Sequence, residues 1–543
     1  VKYTRCESMP TSDWSLIARE VQEPMITTGK ANDSSHNVTS WCTRRKLDCW
    51  SHIDWRKATK RVRRLQLRIA KAYREGRYNR VKSLQYLLTH SLSAKLLAVK
   101  RVAENKGGKT PGVDGVTWKT AKQKWRAALD LKQRSYRVQP LRRIYIPKRT
   151  GKLRPLSIPT MHCRSMQALH LLALEPIAEM ITDKHTYGFR TLRSTADANE
   201  QCFIALARKN GAPYVLEADI QSCFDRIDKT WLLNNIPMDK KILKQWLEAG
   251  YVEKYQWYPT NDGTPQGAII SPTLLNITLS GLEAVAKQAA NPKDKVNVCV
   301  YADDFIITGA TKAVLEQKVR PAVERFLKER GLNLSLEKTH ITHISEGFDF
   351  LGVNHRKYNG KFIQRPAKDN QTRFLRDIRT LIKANKSAKT EKLIQILNSK
   401  IRGWANYHRS ICAKRAFNYV DAQIYQALWF WAKRRHPNKG GKWLRKKYFR
   451  SHGMKRWIFS TKCIDKEGNK VFLDLISAAK IPIKRHVKIR AEATPFDPQY
   501  HEYLSHRMLS KQRSKQVSCK QPDWQHCWWE LFSKPQAESP NGA

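Results

Sequence analysis

Two apolar runs that end in acids, a helical stretch before them and a long basic helical stretch after them predict an α+β fold with an antiparallel sheet at its centre. The first run, Tyr214-Val-Leu-Glu-Ala-Asp219, is largely apolar until it reaches Asp219. In the second, Val296, Val298 and Val300 alternate before Asp303 and Asp304, and Phe305, Ile306 and Ile307 form a β-prone exit. This pattern is a hairpin whose tip carries two adjacent carboxylates. Desolvating an unpaired carboxylate costs several kcal/mol, so such a tip calls for cations. Hard oxygen donors on two strand ends suit Mg²⁺, and two such ions can clamp the attacking and leaving oxygens of an in-line phosphoryl displacement. The chemistry expected is nucleotidyl transfer.

Composition narrows the partners. The 543 residues include 101 Lys and Arg against 47 Asp and Glu, a formal charge of +54. That excess fits a polyanion, with nucleic acid first. A membrane surface fits less well, because the charge is spread along the chain and not gathered on one amphipathic helix. No apolar run of about 18 residues is present, so no membrane span is expected. Glu7, Asp13, Glu20 and Glu23 and the lack of an apolar core argue against a leader peptide. Eleven cysteines with no C-x-x-C pair argue against disulfides and zinc, including at Cys42, Cys49, Cys519 and Cys527. A reducing compartment follows.

Residues 1–50 lack periodicity and read as a mobile extension. Val62, Leu65, Ile69 and Tyr73, then Val81, Leu84 and Leu88 after Gly76, predict a helical hairpin, with Arg61, Arg63, Arg64, Arg68 and Lys71 on its other faces. Gly107-Gly-Lys-Thr110 is not a phosphate-binding P-loop, since Ala103 stands where that motif needs glycine. Tyr145 to Pro159 alternates apolar and basic residues around a Thr-Gly turn, a basic β-hairpin. Helical spacing runs from Val314 to Leu327, Gly331 ends it, and Leu332 to Thr339 reads as a strand with Lys338 at its end. Between 361 and 450 there are 24 Lys and Arg against Asp369, Asp377, Glu391 and Asp421. Ile394, Leu397, Ile401 and Trp404 stripe one helix there, leaving Lys400, Arg402 and Arg409 on other faces.

With these blocks in view, Tyr301-Ala-Asp-Asp304 resembles the YxDD box of reverse transcriptases, and roughly residues 50–490 resemble the group II intron-encoded maturases. The resemblance implies a right-hand polymerase of fingers, antiparallel palm and helical thumb, followed by a basic helical maturase domain and a small DNA-binding tail. It implies Asp219, Asp303 and Asp304 as catalytic residues. Asp219, Ile220, Asp303 and Asp304 would ligate two Mg²⁺ ions. Lys148 and Arg154 match the first conserved block, whose charges meet the triphosphate. Phe224, five residues after Asp219, matches an aromatic wall that leaves no room for a ribose 2′-hydroxyl. Thr264-Pro-Gln-Gly-Ala268 matches the P-Q-G block, with Gln266 and Gly267 at the nucleotide. Gly188-Phe-Arg-Thr-Leu-Arg-Ser194 matches the second block, with Arg190 and Arg193 near phosphate. Phe348 to Val353 resembles a primer grip, and Ile401 to His408 the maturase-specific segment.

Lys338, Arg402, Arg409, Lys433, Arg434 and Arg435 complete the expected RNA and DNA contacts. Asp225 and Asp262 read as structural. Ile481 to Arg490 and Ala493 to Pro498 resemble a DNA-binding linker that in many relatives leads into an HNH nuclease, which is expected to be missing after Arg507. The expected divisions are 1–50, the extension; 51–195, N-terminal helices and fingers; 196–360, palm; 361–480, thumb and maturase; and 481–543, DNA-binding segment and nuclease remnant. Group II intron RNA, a DNA target or primer and dNTPs are the implied partners, in a bacterial cytoplasm or nucleoid. A non-enzymatic splicing factor with a relic polymerase is disfavoured because Asp219, Asp303, Asp304, Lys148 and Gln266 are all present. A reverse transcriptase of defence or diversity generation has no use for the maturase-like stretch.

Overall fold

The computed structural model describes residues 50–147, 151, 153–260, 263–453, 455–464 and 468–516. The N-terminal extension before Trp50 lies outside them, with Cys42 and Cys49. So do Lys148, Asp262, and Cys519, Cys527 and the tail beyond 516.

The helical hairpin forms as α1 (Trp55–Arg74) and α2 (Tyr78–His90), with Asp54 capping α1 by accepting from the Lys57 amide at 2.9 Å. One member of its basic face points inward. Arg63 is buried with its guanidinium 4.8 Å from the Phe496 ring centroid and 3.2 Å from His501, and burial lowers its pKa to about 10. Helix α3 (Leu92–Glu104) and α4 (Ala121–Asp130) follow. Together with α1 and α2, α3 packs on α5 (Met161–Ile181), whose Met166, Leu169, Leu174 and Ile177 are fully enclosed. The Gly107–Thr110 loop is held by a side chain, not by phosphate: Arg164 donates to the carbonyls of Gly107, Thr110 and Pro159.

The basic hairpin is β1 (Leu141–Pro147) and β2 (Leu153–Ile158), in register from Arg142 opposite Ile158 to Pro147 opposite Leu153. After α6 (Thr195–Leu206) comes β3 (Tyr214–Asp219), and β4 (Tyr251–Glu253) and β5 (Gln256–Tyr258) extend the hairpin sheet in the order β2-β1-β4-β5. Helix α7 (Ser271–Thr278) precedes β6 (Val298–Tyr301) and β7 (Asp304–Gly309). These two strands, β3 and β8 (His340–His343) form an antiparallel sheet in the order β6-β7-β3-β8.

The helix expected from Val314 to Leu327 forms, with a π-helical stretch over Val314–Val319 ahead of Arg320–Lys328, where Pro321 has no amide to donate. One local expectation is corrected. Leu332–Thr339 is a loop, not a strand. It makes an isolated bridge from Leu334 to Ile220, just past the end of β3, and turns back where the Lys338 amide donates to the Ser335 carbonyl. The strand begins only at His340.

A third sheet, β9 (Phe348–Phe350), β10 (Val353–Tyr358) and β11 (Lys361–Pro366), leads into α8 (Lys368–Ala384), α9 (Thr390–His408), α10 (Lys414–Arg435) and α11 (Gly441–Tyr448). Ile394, Leu397 and Ile401 are buried as their stripe predicts, and Trp404 stacks on Phe374 at 4.8 Å. The segment read as wholly helical then closes with a three-stranded antiparallel sheet, β12 (Phe449–His452), β13 (Lys455–Ile464) and β14 (Lys470–Asp474). Basic residues among its β-branched and aromatic ones obscured the alternation.

The buried residues gather into three cores, which follow packing and not chain order. The first draws on residues between Trp50 and Leu334 from both sides of residue 195. The second holds the helices after 368 and the β12–β14 sheet. The third joins the outer side of the sheet, including Val215 and Ile306, to Ile489, Ala493 and Leu504 from the C-terminal segment. That segment is a strap centred on Asp197, which is fully buried on α6 and accepts from His486 (2.9 Å), Arg507 (2.7 Å) and the Ile489 amide (2.8 Å). Arg193 donates to the Ala491 and Ala493 carbonyls, and Arg74 pairs with Asp497 at 2.8 Å. Burial opposes ionisation of Asp197, but the hydrogen bonds from His486 and Ser194 and the charges of His486 and Arg507 hold its carboxyl well below the usual range.

Asp197→Asn leaves Arg507 and His486 without their buried counter-charge and should cost about 3–5 kcal/mol. A fall in thermal midpoint with earlier proteolysis of the strap checks this. Because the native pKa is depressed, the contribution is complete above about pH 4 and lost as pH falls further, so the difference between wild type and variant should shrink in acid.

Candidate active site

The acids meet through strand register. Asp219 is the last residue of β3 and stands directly opposite Asp304, the first residue of β7, while Tyr301 pairs with Asp304 across the two-residue Ala302-Asp303 turn. Ala302 takes a left-handed φ of 60°, which this tight turn requires. Gly188 lies under the turn: a Cβ there would sit 2.3 Å from the Ala302 nitrogen, so only glycine allows the approach. The Ile220 amide donates to the Asp303 carbonyl at 3.2 Å, tying the two strand ends together.

Burial and the charges of Asp303 and Asp219 push the Asp304 carboxyl up to about 8. Lys338 answers part of that charge by donating to Asp219 Oδ2. Although burial works against its ammonium, the hydrogen bond to Asp219 and the charges of all three acids raise its pKa. Lys338 is expected among the nucleic-acid contacts, and the loop that replaces the expected strand delivers its ammonium to the acid cluster.

A divalent cation fits this donor set. Three carboxylates crowd one sheet edge, burial and the other two acids raise the pKa of Asp304, and Ile220 can offer its main-chain carbonyl. Among the described residues no group of three or more His, Cys, Asp or Glu side chains forms a ready-made metal cage.

A second cluster stands beside the acids. Arg154 on β2 donates from Nε to Gln266 Oε1 at 2.9 Å, and Gln266 Nε2 donates to Asp225 Oδ2 at 2.8 Å. The Ser157 amide donates to the Gln266 carbonyl at 2.8 Å, locking the hairpin to the Pro-Gln-Gly turn. Gly267, at φ 108°, lets that turn lie against β2, since a Cβ would reach 2.9 Å from Leu156 and 3.0 Å from the Ser157 carbonyl. Its close approach is thus to the protein's own backbone. Phe224 is half-buried in the short helix Cys223–Arg226, and its carbonyl accepts from the Thr264 amide at 2.6 Å, which joins it to the same turn. Sequence reasoning missed Phe189, which packs edge-on to Phe224 at 6.4 Å and is 37% exposed. Its left-handed φ of 58° was the hidden feature, because nothing in the sequence marks a phenylalanine for that conformation.

The expected phosphate contacts at Arg190 and Arg193 are corrected. Arg190 is buried against Glu179, donating from Nε and NH2 to its carboxylate and from NH1 to the Asp183 and Thr186 carbonyls. Arg193 is spent on the strap, and burial lowers its pKa to about 10. Both are structural. The basic residues after 400 separate into two places. Arg402 and Arg409 lie near the α9–α10 connection, whereas Lys433, Arg434 and Arg435 form the last turn of α10, a helix 22 residues long and so roughly 33 Å from end to end.

Comparison with known proteins agrees with this architecture. Residues 50–131 match the N-terminal domain of reverse transcriptase, 146–355 the reverse transcriptase (RNA-dependent DNA polymerase) domain, and 371–449 the group II intron maturase-specific domain. Protein YkfC of Escherichia coli (strain K12) is 34% identical over 304 residues, 47% of this chain and 78% of that protein. The group II intron-encoded protein LtrA of Lactococcus lactis subsp. cremoris is 28% identical over 424 residues, 60% of this chain and 70% of that one. The putative COX1/OXI3 intron 2 protein of Saccharomyces cerevisiae is 25% identical over 48% of this chain and 37% of its own length. With the acids of β3 and β7 paired in one sheet and a maturase-specific stretch beyond it, the chain belongs to the group II intron-encoded reverse transcriptases, RNA-directed DNA polymerases with a maturase domain.

Proposed function

We propose that the chain copies intron RNA into DNA at Asp219, Asp303 and Asp304, and grips the same RNA through its basic helices to assist its splicing and then its mobility by target-primed synthesis. The observation that carries the first part is the register that sets Asp219 opposite Asp304 beside Asp303. Two Mg²⁺ ions held by these carboxylates and the Ile220 carbonyl would supply the charge stabilisation of phosphoryl transfer. Around them the chain's own residues position the reactants. Arg154, fixed through Gln266 and Asp225, offers guanidinium charge to the triphosphate, and Lys148, outside the described residues, is the second cation proposed for it. Phe224, backed by Phe189, closes the sugar side. Lys338 keeps a proton on its amine at neutral pH and balances Asp219.

The divisions at 51–195, 196–360, 361–480 and 481–543 serve as fingers, palm, thumb with maturase domain, and a C-terminal segment for the DNA target. The reading suits a bacterial cytoplasm. Because the palm and N-terminal helices share one core, fingers and palm act as one rigid unit against which the helices after 368 hold RNA.

Primer extension on an RNA template with Mg²⁺ and dNTPs tests the site. Asp219→Ala and Asp303→Ala should each lose several orders of magnitude, and activity within about tenfold of wild type would remove these residues from the mechanism.

Phe224→Ala should reduce discrimination between dNTPs and rNTPs while dNTP use survives. An unchanged preference ratio in steady-state incorporation would make Phe224 a packing residue.

Neutralising Arg402 and Arg409, or Lys433, Arg434 and Arg435, should weaken intron RNA binding and lower its log–log salt slope by up to about 0.7–0.9 for each phosphate no longer neutralised. Filter binding across salt concentrations reads this. An unchanged slope would identify the set as a solvated face.

A further inference from the structure

The faces of α8 and α10 leave a groove between them that is open to solvent and about 430 Å³ in volume. Helix α8 contributes Arg379, Ile382 and Lys383, the turn just past its end contributes Lys386, and α10 contributes Gln423, Phe430, Trp431, Arg434 and Arg435, among others. Arg379, Ile382 and Lys383 stand at i, i+3 and i+4, so one face of the helix is committed to the groove.

Its chemistry is divided. The floor is apolar, made by buried Ile382 and Trp431, and Phe430 rises from the wall with 63% of its surface exposed. The rim carries five cations and no acid. Two of the cations are fixed: Arg379 donates to Gln423, and Arg435 donates to the Ala388 carbonyl at 2.8 Å and lies over Trp431. Lys383, Lys386 and Arg434 are exposed and, among the described residues, have no hydrogen-bond or ion-pair partner.

A groove of this kind matches one nucleotide lifted out of a stack. The volume falls within the roughly 300–1,000 Å³ of sites that enclose small ligands. An exposed phenylalanine over an apolar floor gives a base a ring to stack on, and a ring of cations without acids suits the phosphates on either side. A peptide partner would meet the same cations without a use for the flat wall. We infer that this groove binds an unpaired nucleotide of the intron RNA, Phe430 stacking on the base while Lys383, Lys386 and Arg434 hold the flanking phosphates. RNA is the source because both helices lie in the maturase-specific stretch, and the inference rests on the RNA grip proposed above.

The test uses the full chain and two short RNA hairpins, one perfectly paired and one with a single bulged nucleotide, read by fluorescence anisotropy. Wild type should bind the bulged hairpin more tightly. Phe430→Ala should weaken that binding roughly 5- to 100-fold and leave the paired hairpin within about twofold. Phe430→Tyr should restore it, and Phe430→Leu, which keeps bulk without a flat ring, should not. A thermal midpoint equal to wild type confirms that each variant is folded, as expected for a side chain so exposed.

Equal losses on both hairpins, rescue by leucine, or tighter binding of a bulged DNA hairpin would each overturn the proposal. So would a dimer of the wild-type chain that Phe430→Ala dissociates, because a second copy would then occupy the groove. If the two hairpins bind equally but with a salt slope that falls on neutralising Lys433, Arg434 and Arg435, the RNA grip stands and the groove loses its role. If neither hairpin binds, the RNA grip itself fails and this proposal falls with it.

Discussion

The register between β3 and β7 is the constraint on which the site depends. It brings Asp219 and Asp304 face to face with Asp303 at the turn between, a crowding of acids that together with burial pushes the Asp304 carboxyl up to about 8. A slip of one residue would turn each side chain to the other face of the sheet and disperse the charge. The chain prevents this with six paired positions from Tyr214 opposite Gly309 to Asp219 opposite Asp304, buried throughout on the β7 side except at Asp304. The repulsion stays because the fold outweighs it, and a site so held is ready for cations without rearrangement.

Support for that register comes from segments distant in sequence. The Leu332–Thr339 loop fixes the end of β3 by the Ser335 amide donating to the Asp219 carbonyl at 2.8 Å and by Lys338 at the carboxylate. Gly188 fits under the catalytic turn, and the Gly188 carbonyl accepts from buried Asn276 of α7 at 3.0 Å. The blocks that flank the acids in sequence are therefore parts of one packed object, joined to the acids by backbone contacts before any substrate arrives.

Much of this was legible in the sequence, for a physical reason. Alternation with a period of two and an acid at the end of each run specify strands and their tips, and the turn at Ala302-Asp303 leaves the hairpin one pairing. The helical stripe of Ile394, Leu397 and Ile401 was equally plain. Legibility failed where tertiary contacts override local pattern. Leu332–Thr339 has the composition of a strand, but its amides are claimed by turns and by the end of β3. The β12–β14 sheet hid behind basic residues at strand positions. At the site, Asp225 gave no sign that it would orient Gln266, and Phe189 none that it would stand beside Phe224, since both roles arise from chain crossings that a linear pattern does not encode.

Charge was the least faithful guide, because a formal count does not distinguish a cation offered to solvent from one consumed inside. Arg190 serves Glu179, Arg193 the strap, and Arg63 a ring and an imidazole. His486 and Arg507 converge on the buried Asp197, and Lys488 reaches Gln201. The C-terminal segment that reads as a DNA-binding linker thus spends much of its positive charge on the fold, fastening itself to α6 and α1. In the helices after 368 the opposite holds: four acids face 24 Lys and Arg over residues 361–450, and Asp421 is already engaged by Ser477 and the Ala478 and Ala479 amides. Residues 51–140 carry nearly the same excess, 24 Lys and Arg against five acids, so the positive field that a polyanion meets is borne by helices on both sides of the sheet. Since the acids of β3 and β7 repel phosphate until cations arrive, the energy that holds RNA to the enzyme has to come from the basic helices that precede and follow the sheet, and the sheet is left to act on the strand brought to it.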